Sequence, residues 1–322
     1  MMKNTWCSCL ILFALAVFGA APAAWGWGCE GHQVVALIAE KHLNPRALAA
    51  ALQLLEAGPI SPDLRRFCNA NGLDAFADSS TWADDERSVR RDTAGWHFLD
   101  IPRSASKGEI AQYCPPSTGC VTSAIADQLA VLRNLGASAQ ARADALRYVI
   151  HLIGDLHQPL HTTTNDDRGG NCVPVAFFGH TPEETNPAKE DYRPNLHGVW
   201  DTDIIEHFAH GRTAQQIADE LDSKFKEQIP AWKSEPVDLV SWTWESHQVA
   251  EDTAYGDLPT KVPVETPRPI NTCTDDDHIS IRMLKLREQL DDDYQKAVEG
   301  VIQERLTKAG VRLAAVLNAL WP

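Results

Sequence analysis

The chain has 322 residues, of which 44% are hydrophobic and 23% are charged, and its formal net charge at pH 7 is −15. This length and apolar content are enough to bury a sizeable core, and they exclude a disordered chain. The negative charge excludes a protein that binds nucleic acid by neutralising phosphates over a basic face, unless bound cations supply positive charge locally.

The first 26 residues have the pattern of a secretory signal peptide. Lys3 precedes an apolar stretch from about residue 10 to residue 17, and the small residues of "GAAPAAWG" follow. The apolar stretch is too short for a permanent membrane anchor, and no later stretch is long and apolar enough to span a bilayer. We therefore expect an exported protein, periplasmic or secreted, with no stable membrane association and with residues 27–322 as its mature domain.

Apolar residues recur at three- and four-residue steps along most of the mature chain, which predicts helices. The predicted helices cover residues 32–43, 122–135, 141–157, 197–210, 213–229, 240–255 and about 279–320. Strand patterns are nearly absent, although "NCVPVAFFG" (171–179) could form a small hairpin. Proline and glycine clusters predict loops at 58–62, 168–196 and 256–270. With no internal repeat or long linker, we expect one compact, all-α, multi-helix domain with a small β-hairpin.

Six cysteines remain after the predicted signal peptide, and an even number in an exported chain indicates disulfides. Cys114 and Cys120 bracket "PPSTG" and are predicted to pair. The other four allow three pairings, among which the sequence does not choose; they are Cys29, Cys68, Cys172 and Cys273.

Two predicted helices each carry a histidine and an aspartate four residues apart, a spacing that places both on one helix face. These pairs are His151 with Asp155 and His197 with Asp201. A single such pair is usually an ordinary helix pair, but imidazole and carboxylate are also the usual zinc donors, and the recurrence favours a metal site. Further candidate ligands come from other segments: His161, just past the helix-ending Pro159, and His32, Asp84 and His97.

The ordered motifs of the chain resemble those of the zinc-dependent single-strand-specific nucleases. That family comprises fungal mould nucleases and plant bifunctional nucleases, and it shares its fold with zinc phospholipase C. The motifs are "WGCEGH", "WAD", "WHFLD", "HLIGDLHQPLH", "DRGGN" and "NLHGVWD". The resemblance runs from residue 27 to about residue 203, and weakly again through "AGVRLAAVLNAL" near the end. It implies an all-α protein, which we expect to be a monomer, with a trinuclear zinc cleft.

The resemblance further implies which residues hold the three zinc ions. The ligand sets are Asp84, His97, His151 and Asp155 for the first ion, His161, His197 and Asp201 for the second, and Trp27, His32 and again Asp155 for the third. Trp27 would bind through its free amine and carbonyl, which requires signal cleavage after Gly26. The family needs no histidine at His157, which is interpreted as a bystander or a supporting group.

The same resemblance implies hydrolysis of single-stranded RNA and DNA to 5′-phosphorylated products, together with 3′-nucleotidase activity. Asp84 would orient the attacking water or accept its proton, and Arg87 would stabilise charge on the phosphoryl group. Phe98 would stack on a nucleobase and Asp100 would hydrogen-bond to it. Stacking requires an unpaired base, which would account for a preference for single strands.

Two other functions remain open. A zinc phospholipase C shares the fold and nearly the same ligand order, although we would expect Glu in place of Asp201 and no counterpart of "HFLD". A non-catalytic zinc-binding protein would not need Asp84 or Arg87. A zinc protease would show H-E-x-x-H, which does not occur. The segment between His161 and His197 is longer than expected for the fungal pattern, with its surplus at "HTPEETNPAKEDYRP", so substrate preference also stays open.

Overall fold

Helices dominate the computed structural model of the protein, which describes residues 27–70, 72–266, 268, 270, 272–275 and 289–322. The α-helices are α1 (Cys29–His42), α2 (Pro45–Ala57), α3 (Ala75–Ser79), α4 (Trp82–Arg87), α5 (Val121–Arg133), α6 (Ala139–His157), α7 (Leu196–Gly198), α8 (Ile204–Ala209), α9 (Ala214–Lys224), α10 (Ile229–Ser234), α11 (Leu239–Val249) and α12 (Asp292–Leu320). Shorter 3-10 helices cover Arg91–His97, Lys107–Tyr113, Pro159–Thr162 and Cys273–Asp275, and π-helical turns cover Val199–Asp203 and Ala250–Ala254. The predicted signal peptide lies outside the described residues.

The all-α prediction is confirmed, and the helix ends have local causes. Ser138 begins α6 by accepting a hydrogen bond from the backbone N–H of Ala141. The same helix ends at His157, two residues before Pro159, as expected for a residue that cannot continue a helix. The predicted helix 279–320 is observed from Asp292 onward, and its residues 279–288 lie outside the described part of the chain. In the described residues, no helix is long and apolar enough to cross a membrane.

The core forms where α1 and α6 pack against the long last helix, α12. Residues 31–39 of α1 are all buried, so this helix is surrounded by other elements instead of presenting one face to solvent. In α6 the buried stretch runs from residue 145 to residue 157. Both central helices therefore place polar side chains at positions where solvent is excluded and partners must be supplied by the protein.

Gly310 allows the close approach of α12 to α1. A Cβ atom at this position would lie 2.7 Å from Ile38 Cβ and 2.8 Å from the carbonyl oxygen of Val35. We expect Gly310→Ala to lower the free energy of unfolding by about 1–3 kcal/mol, since overpacking forces two helices apart. The matched control is Gly300→Ala in the same helix, where nothing lies within 4 Å and stability should rise slightly. Chemical denaturation of both variants tests this, and equal stabilities would contradict it.

The strands are few and short. β1 (Ala176–Phe177) pairs in parallel with β4 (Gln289–Leu290), and β2 (Glu183–Asn186) pairs antiparallel with β3 (Asp191–Arg193). The predicted small hairpin therefore exists, but its predicted position at 171–179 was wrong. Residues 172–177 are buried throughout and join the core, whereas the hairpin forms in the exposed surplus sequence that follows.

The described residues contain three disulfides, two of which join distant parts of the chain. The predicted Cys114–Cys120 pair is confirmed, and the other two are Cys29–Cys68 and Cys172–Cys273. The first of these ties the start of α1 to the loop between α2 and α3. The second ties the segment after residue 256 to the residues just before β1.

Candidate metal centre

The centre is built around the C-terminal end of α6. His151 and Asp155 are one turn apart on this helix, and both side chains are completely buried. The helix ends two residues later, and the following 3-10 helix brings His161 to the same place, where its Nδ1 lies 3.5 Å from Asp155 Oδ1. The three predicted ligands of the "HLIGDLHQPLH" segment thus meet at one point.

Five other elements supply the remaining predicted donors. His32 lies on α1, Asp84 on α4, His97 at the end of the 3-10 helix 91–97, His197 on α7 and Asp201 in the π-helical turn 199–203. None of these side chains is more than 8% exposed. The fold therefore brings together residues that are up to 169 positions apart in the sequence, from His32 to Asp201.

A first group of donor atoms has the spacing of a tetrahedral zinc site. His97 Nδ1 lies 3.1 Å from His151 Nε2 and 3.0 Å from Asp155 Oδ2. His151 Nε2 lies 3.1 Å from Asp155 Oδ2, and Asp84 Oδ1 lies 3.7 and 3.8 Å from the two imidazole nitrogens. Four donors placed tetrahedrally around one zinc ion would be about 3.4 Å apart. These four side chains can hold one ion without rearrangement of the backbone.

A second group lies next to the first, because its His161 is 3.5 Å from Asp155 Oδ1. His197 Nε2 lies 3.2 Å from Asp201 Oδ2, and His161 Nε2 lies 3.7 Å from Asp201 Oδ1. The two imidazole rings stack with their centroids 5.0 Å apart. These distances again suit three donors around one ion.

A third group includes the start of the described chain. His32 Nε2 lies 3.4 Å from Asp155 Oδ1, and its ring stacks on His151 with centroids 3.8 Å apart. Trp27 is completely buried beside it and donates its indole N–H to the carbonyl oxygen of Gly154. The next residue, Gly28, donates its backbone N–H to the carbonyl oxygen of Asp201 over 2.7 Å. Residue 27 is therefore fixed between two segments that carry candidate ligands.

Buried donor atoms at the centre lack hydrogen-bond partners among the described residues. The atoms concerned are both ring nitrogens of His32, Asp84 Oδ1, His97 Nε2, Asp155 Oδ1, His161 Nε2 and Asp201 Oδ2. An unsatisfied buried polar atom costs about 1–3 kcal/mol, so such a concentration requires compensation. Three sets of these residues have ligand atoms within 4.8 Å of one another: His32 with His151 and Asp155, Asp84 with His97 and His151, and His161 with His197 and Asp201. Bound cations would satisfy those atoms of the set that face the three groups, such as Asp84 Oδ1, His161 Nε2 and Asp201 Oδ2.

Backbone carbonyls fix the orientation of three imidazoles. His151 Nδ1 donates to Ser80 O, His161 Nδ1 to His97 O and His197 Nδ1 to Gly169 O, each over 2.7 Å. Donation from Nδ1 leaves Nε2 without a proton in the neutral ring, and Nε2 is the atom that points into the centre. Metal-bound histidines are usually held in this way.

The electrostatics favour cations at the centre. Burial lowers the pKa of His32 and of His161, and it lowers the pKa of His97 to about 4, so these rings are neutral at pH 7. Burial also opposes a charged His151, yet the carboxylates of Asp155 and Asp84 overcome this and raise its pKa to about 9. A pocket that draws a proton onto a buried ring carries excess negative charge, and metal ions would neutralise that charge.

The remaining predicted site residues surround the centre. Arg87 Nη2 lies 3.8 Å from Asp84 Oδ1 and can reach a group bound there. Phe98 is 39% exposed and, with the exposed Asp100, lines a cleft of about 510 Å³. His157 belongs to none of the donor groups, since its Nδ1 donates to the carbonyl oxygen of Ile153 and its Nε2 lies 3.1 Å from Arg312.

Sequence reasoning missed Gln158. Its buried side-chain amide donates to Asp201 Oδ1 over 2.5 Å, and its Oε1 accepts from the backbone N–H of Leu160. Gln158 therefore positions one candidate ligand while it holds the turn that leads to His161. Its place between two histidines in "HQPLH" is the signal that could have found it, but glutamine at a helix end is common and points to no chemistry by itself.

Comparison with known proteins gives consistent matches over the same region. The sequence model of the S1/P1 nuclease family matches residues 27–322. Nuclease S1 of Aspergillus oryzae is 28% identical, over 97% of this chain and 97% of its own. Endonuclease 2 of Arabidopsis thaliana is 26% identical, over 97% and 96% respectively. Nuclease P1 of Penicillium citrinum is 32% identical, over 55% of this chain and 57% of its own. The family match includes every candidate ligand described above.

Proposed function

The chain belongs to the S1/P1 nuclease family, and we propose that it is a zinc-dependent enzyme that hydrolyses single-stranded RNA and DNA to 5′-phosphorylated products. As a member of that family it is an endonuclease, a hydrolase of phosphodiester bonds in nucleic acids. The proposal extends to removal of the phosphate from 3′-mononucleotides, since the same chemistry acts on a terminal phosphate.

The observation that carries the proposal is the set of buried donor atoms without hydrogen-bond partners in the described structure. They fall into three groups whose nitrogen and oxygen composition suits zinc. Three zinc ions per chain would also supply six positive charges inside a protein whose formal net charge is −15. That local charge removes the objection that an acidic surface cannot approach a polyanion.

The side chains around the centre support specific roles. Bound zinc ions would lower the pKa of a water molecule and polarise the scissile phosphate. Asp84 would orient that water or accept its proton, because its Oδ1 lies within the first donor group, 3.7 and 3.8 Å from the nitrogens of His97 and His151. Arg87, 3.8 Å from the same oxygen, can donate to the phosphoryl oxygens as their charge grows. Phe98 and Asp100 offer a stacking surface and a hydrogen-bond acceptor for one unpaired base.

We also propose that the protein is exported and that signal cleavage after Gly26 makes Trp27 the first residue. The three disulfides support export, since such bonds form in oxidising compartments. The burial of Trp27 beside His32 supports a role for its free amine as a ligand. Residues 27–322 would then be the mature nuclease domain.

A substrate panel with metal analysis tests the proposed function. The purified mature protein should contain about three zinc ions per chain, as the three donor groups require. It should hydrolyse single-stranded DNA, RNA and a 3′-mononucleotide, and it should leave phosphatidylcholine intact. A chelator should abolish all hydrolysis, and added zinc should restore it. Hydrolysis that resists the chelator would overturn the zinc mechanism, and hydrolysis of phosphatidylcholine alone would favour a phospholipase C.

A further inference from the structure

A second cleft of about 350 Å³ adjoins the metal centre. Three candidate ligands, His32, Asp84 and Asp201, form part of its wall. Phe67 and the Cys29–Cys68 disulfide form another part, together with Ile205. Among the described residues that line them, this cleft and the Phe98 cleft have no residue in common. The metal centre therefore opens into the Phe67 cleft, and the Phe98 cleft, lined by the residues that follow His97, is a distinct cavity. Each of the two contains an aromatic ring that is about 40% exposed.

The loop that carries Phe67 is firmly anchored. The backbone N–H of Phe67 donates to Asp85 Oδ1 over 2.9 Å, and Asp85 is completely buried beside the candidate ligand Asp84. The preceding residue, Arg66, donates to both Asp78 and Asp85, and the following residue, Cys68, is bonded to Cys29. Because the loop is already fixed, a ligand that stacks on the exposed Phe67 ring pays little conformational entropy to order it.

The chemistry of the cleft fits a nucleobase better than a phosphate. Its walls carry the carboxylates of Glu30 and Glu206. In the part of the cleft that lies away from the metal ions, these carboxylates would repel a phosphate. A base is uncharged, can stack on the Phe67 ring and can donate N–H groups to those carboxylates. The exposed Arg65 guanidinium lies 5.0 Å from the centroid of the Phe67 ring and can pair with the backbone of a strand whose base stacks there.

We propose that Phe67 forms a second nucleobase subsite, on the opposite side of the scissile phosphate from the base in the Phe98 cleft. The inference rests on the proposed function, because it takes a dinucleotide unit as the substrate. With one base in each cleft, the phosphate between them lies at the metal centre. The Phe67 subsite holds the nucleotide that leaves with the 5′-phosphate, and it makes the enzyme faster on dinucleotides than on substrates without that second base.

Two dinucleotide substrates test the subsite. One carries both bases, and the other lacks the base of the nucleotide that is joined through its 5′ oxygen. Stacking on one aromatic side chain changes binding by roughly tenfold or more, so the wild type should show a kcat/KM about tenfold higher for the first substrate. Phe67→Ala should lose that advantage and leave the second substrate unaffected. Phe67→Trp should keep it, and Leu135→Ala, at a side chain that is 82% exposed, is the matched control.

A binding experiment separates this inference from the proposed function. Isothermal titration calorimetry measures the binding of hydrolysis-resistant phosphorodithioate analogues of both dinucleotides to the zinc-loaded protein. If Phe67→Ala binds the two-base analogue more weakly than the wild type does but binds the other analogue equally well, the subsite is supported. This holds even if the wild type cleaves neither dinucleotide and the nuclease proposal fails. Equal binding of the two analogues by wild type and variant overturns the subsite, as does an equal loss of kcat/KM on both substrates.

Discussion

Replacing Asp155 with asparagine is expected to lower kcat/KM on single-stranded DNA by more than about a thousandfold and to reduce the zinc content below two ions per chain. Within the described part of the chain, Asp155 is the one carboxylate that contacts residues of all three groups, namely His32, His151 and His161. An amide has nearly the same shape but carries no charge, so it cannot balance two cations. Steady-state kinetics and elemental analysis of the same preparation give both readouts.

The control for this prediction is Asp144→Asn, eleven residues earlier in α6. Asp144 is 32% exposed and pairs with the buried Arg147, whose guanidinium also donates to the carbonyl oxygen of Gly58. Its loss should lower stability, because a buried guanidinium loses a partner. The zinc content and kcat/KM should stay within about twofold of the wild type, because neither residue of the pair is a candidate ligand. Circular dichroism should show the same helix content in both variants. An Asp155→Asn protein with three zinc ions and near-normal kcat/KM would refute the bridging role.

Retaining one residue before Trp27 is expected to lower kcat/KM by about a hundredfold or more and to remove close to one zinc ion per chain. The added peptide bond converts the Trp27 amine, a good zinc ligand, into an amide nitrogen that does not coordinate. The start of the chain cannot easily move away to compensate, because Gly28 and the Trp27 indole are hydrogen-bonded to Asp201 and Gly154. The measurement compares chains that begin at Gly26 and at Trp27, with N-terminal sequencing of each.

A Trp27→Phe chain with the native start is the matched control for the extended chain. It keeps the amine and loses only the indole hydrogen bond to Gly154. We expect it to bind three zinc ions with a moderate loss of stability. If instead the chain that begins at Gly26 binds zinc and cleaves DNA like the chain that begins at Trp27, the amine is not a ligand.

Much of the fold could be predicted because helix periodicity is a local signal. The predicted bounds of α1, α5, α6 and of α11 with its π-helical turn agree with the observed ends within a few residues. The predicted helix 213–229 in fact ends at Lys224 and restarts as α10. The helix α2 was not predicted, although Asn44 and Pro45 are typical of a helix start. Its buried residues, Ala47, Ala51, Leu54 and Leu55, share one helix face, so the periodicity was present in the sequence and the prediction left it out.

The site could be predicted only in part from the residues themselves. Spacing identified His151 with Asp155 and His197 with Asp201, because each pair lies on one helix. Nothing local connects His32 to them, and only the family motifs implied that link. The pairing of the two long-range disulfides was left open for the same reason. Their cysteines are 39 and 101 residues apart, and no local sequence pattern indicates which of them meet in the fold. Gln158 acts through Asp201, and such support follows from the three-dimensional structure alone.

The Cys172–Cys273 bridge has a consequence for survival among extracellular proteases. The tip of the β2–β3 hairpin, at residues 187–189, is exposed and is a natural place for a protease to cut. A cut there would separate His161 from His197 and Asp201 along the backbone. Because the cut falls within the ring that the bridge closes, the two pieces stay covalently joined. A nicked molecule would therefore migrate as one band without reductant and as two with it, and it would still hold both halves of the centre together.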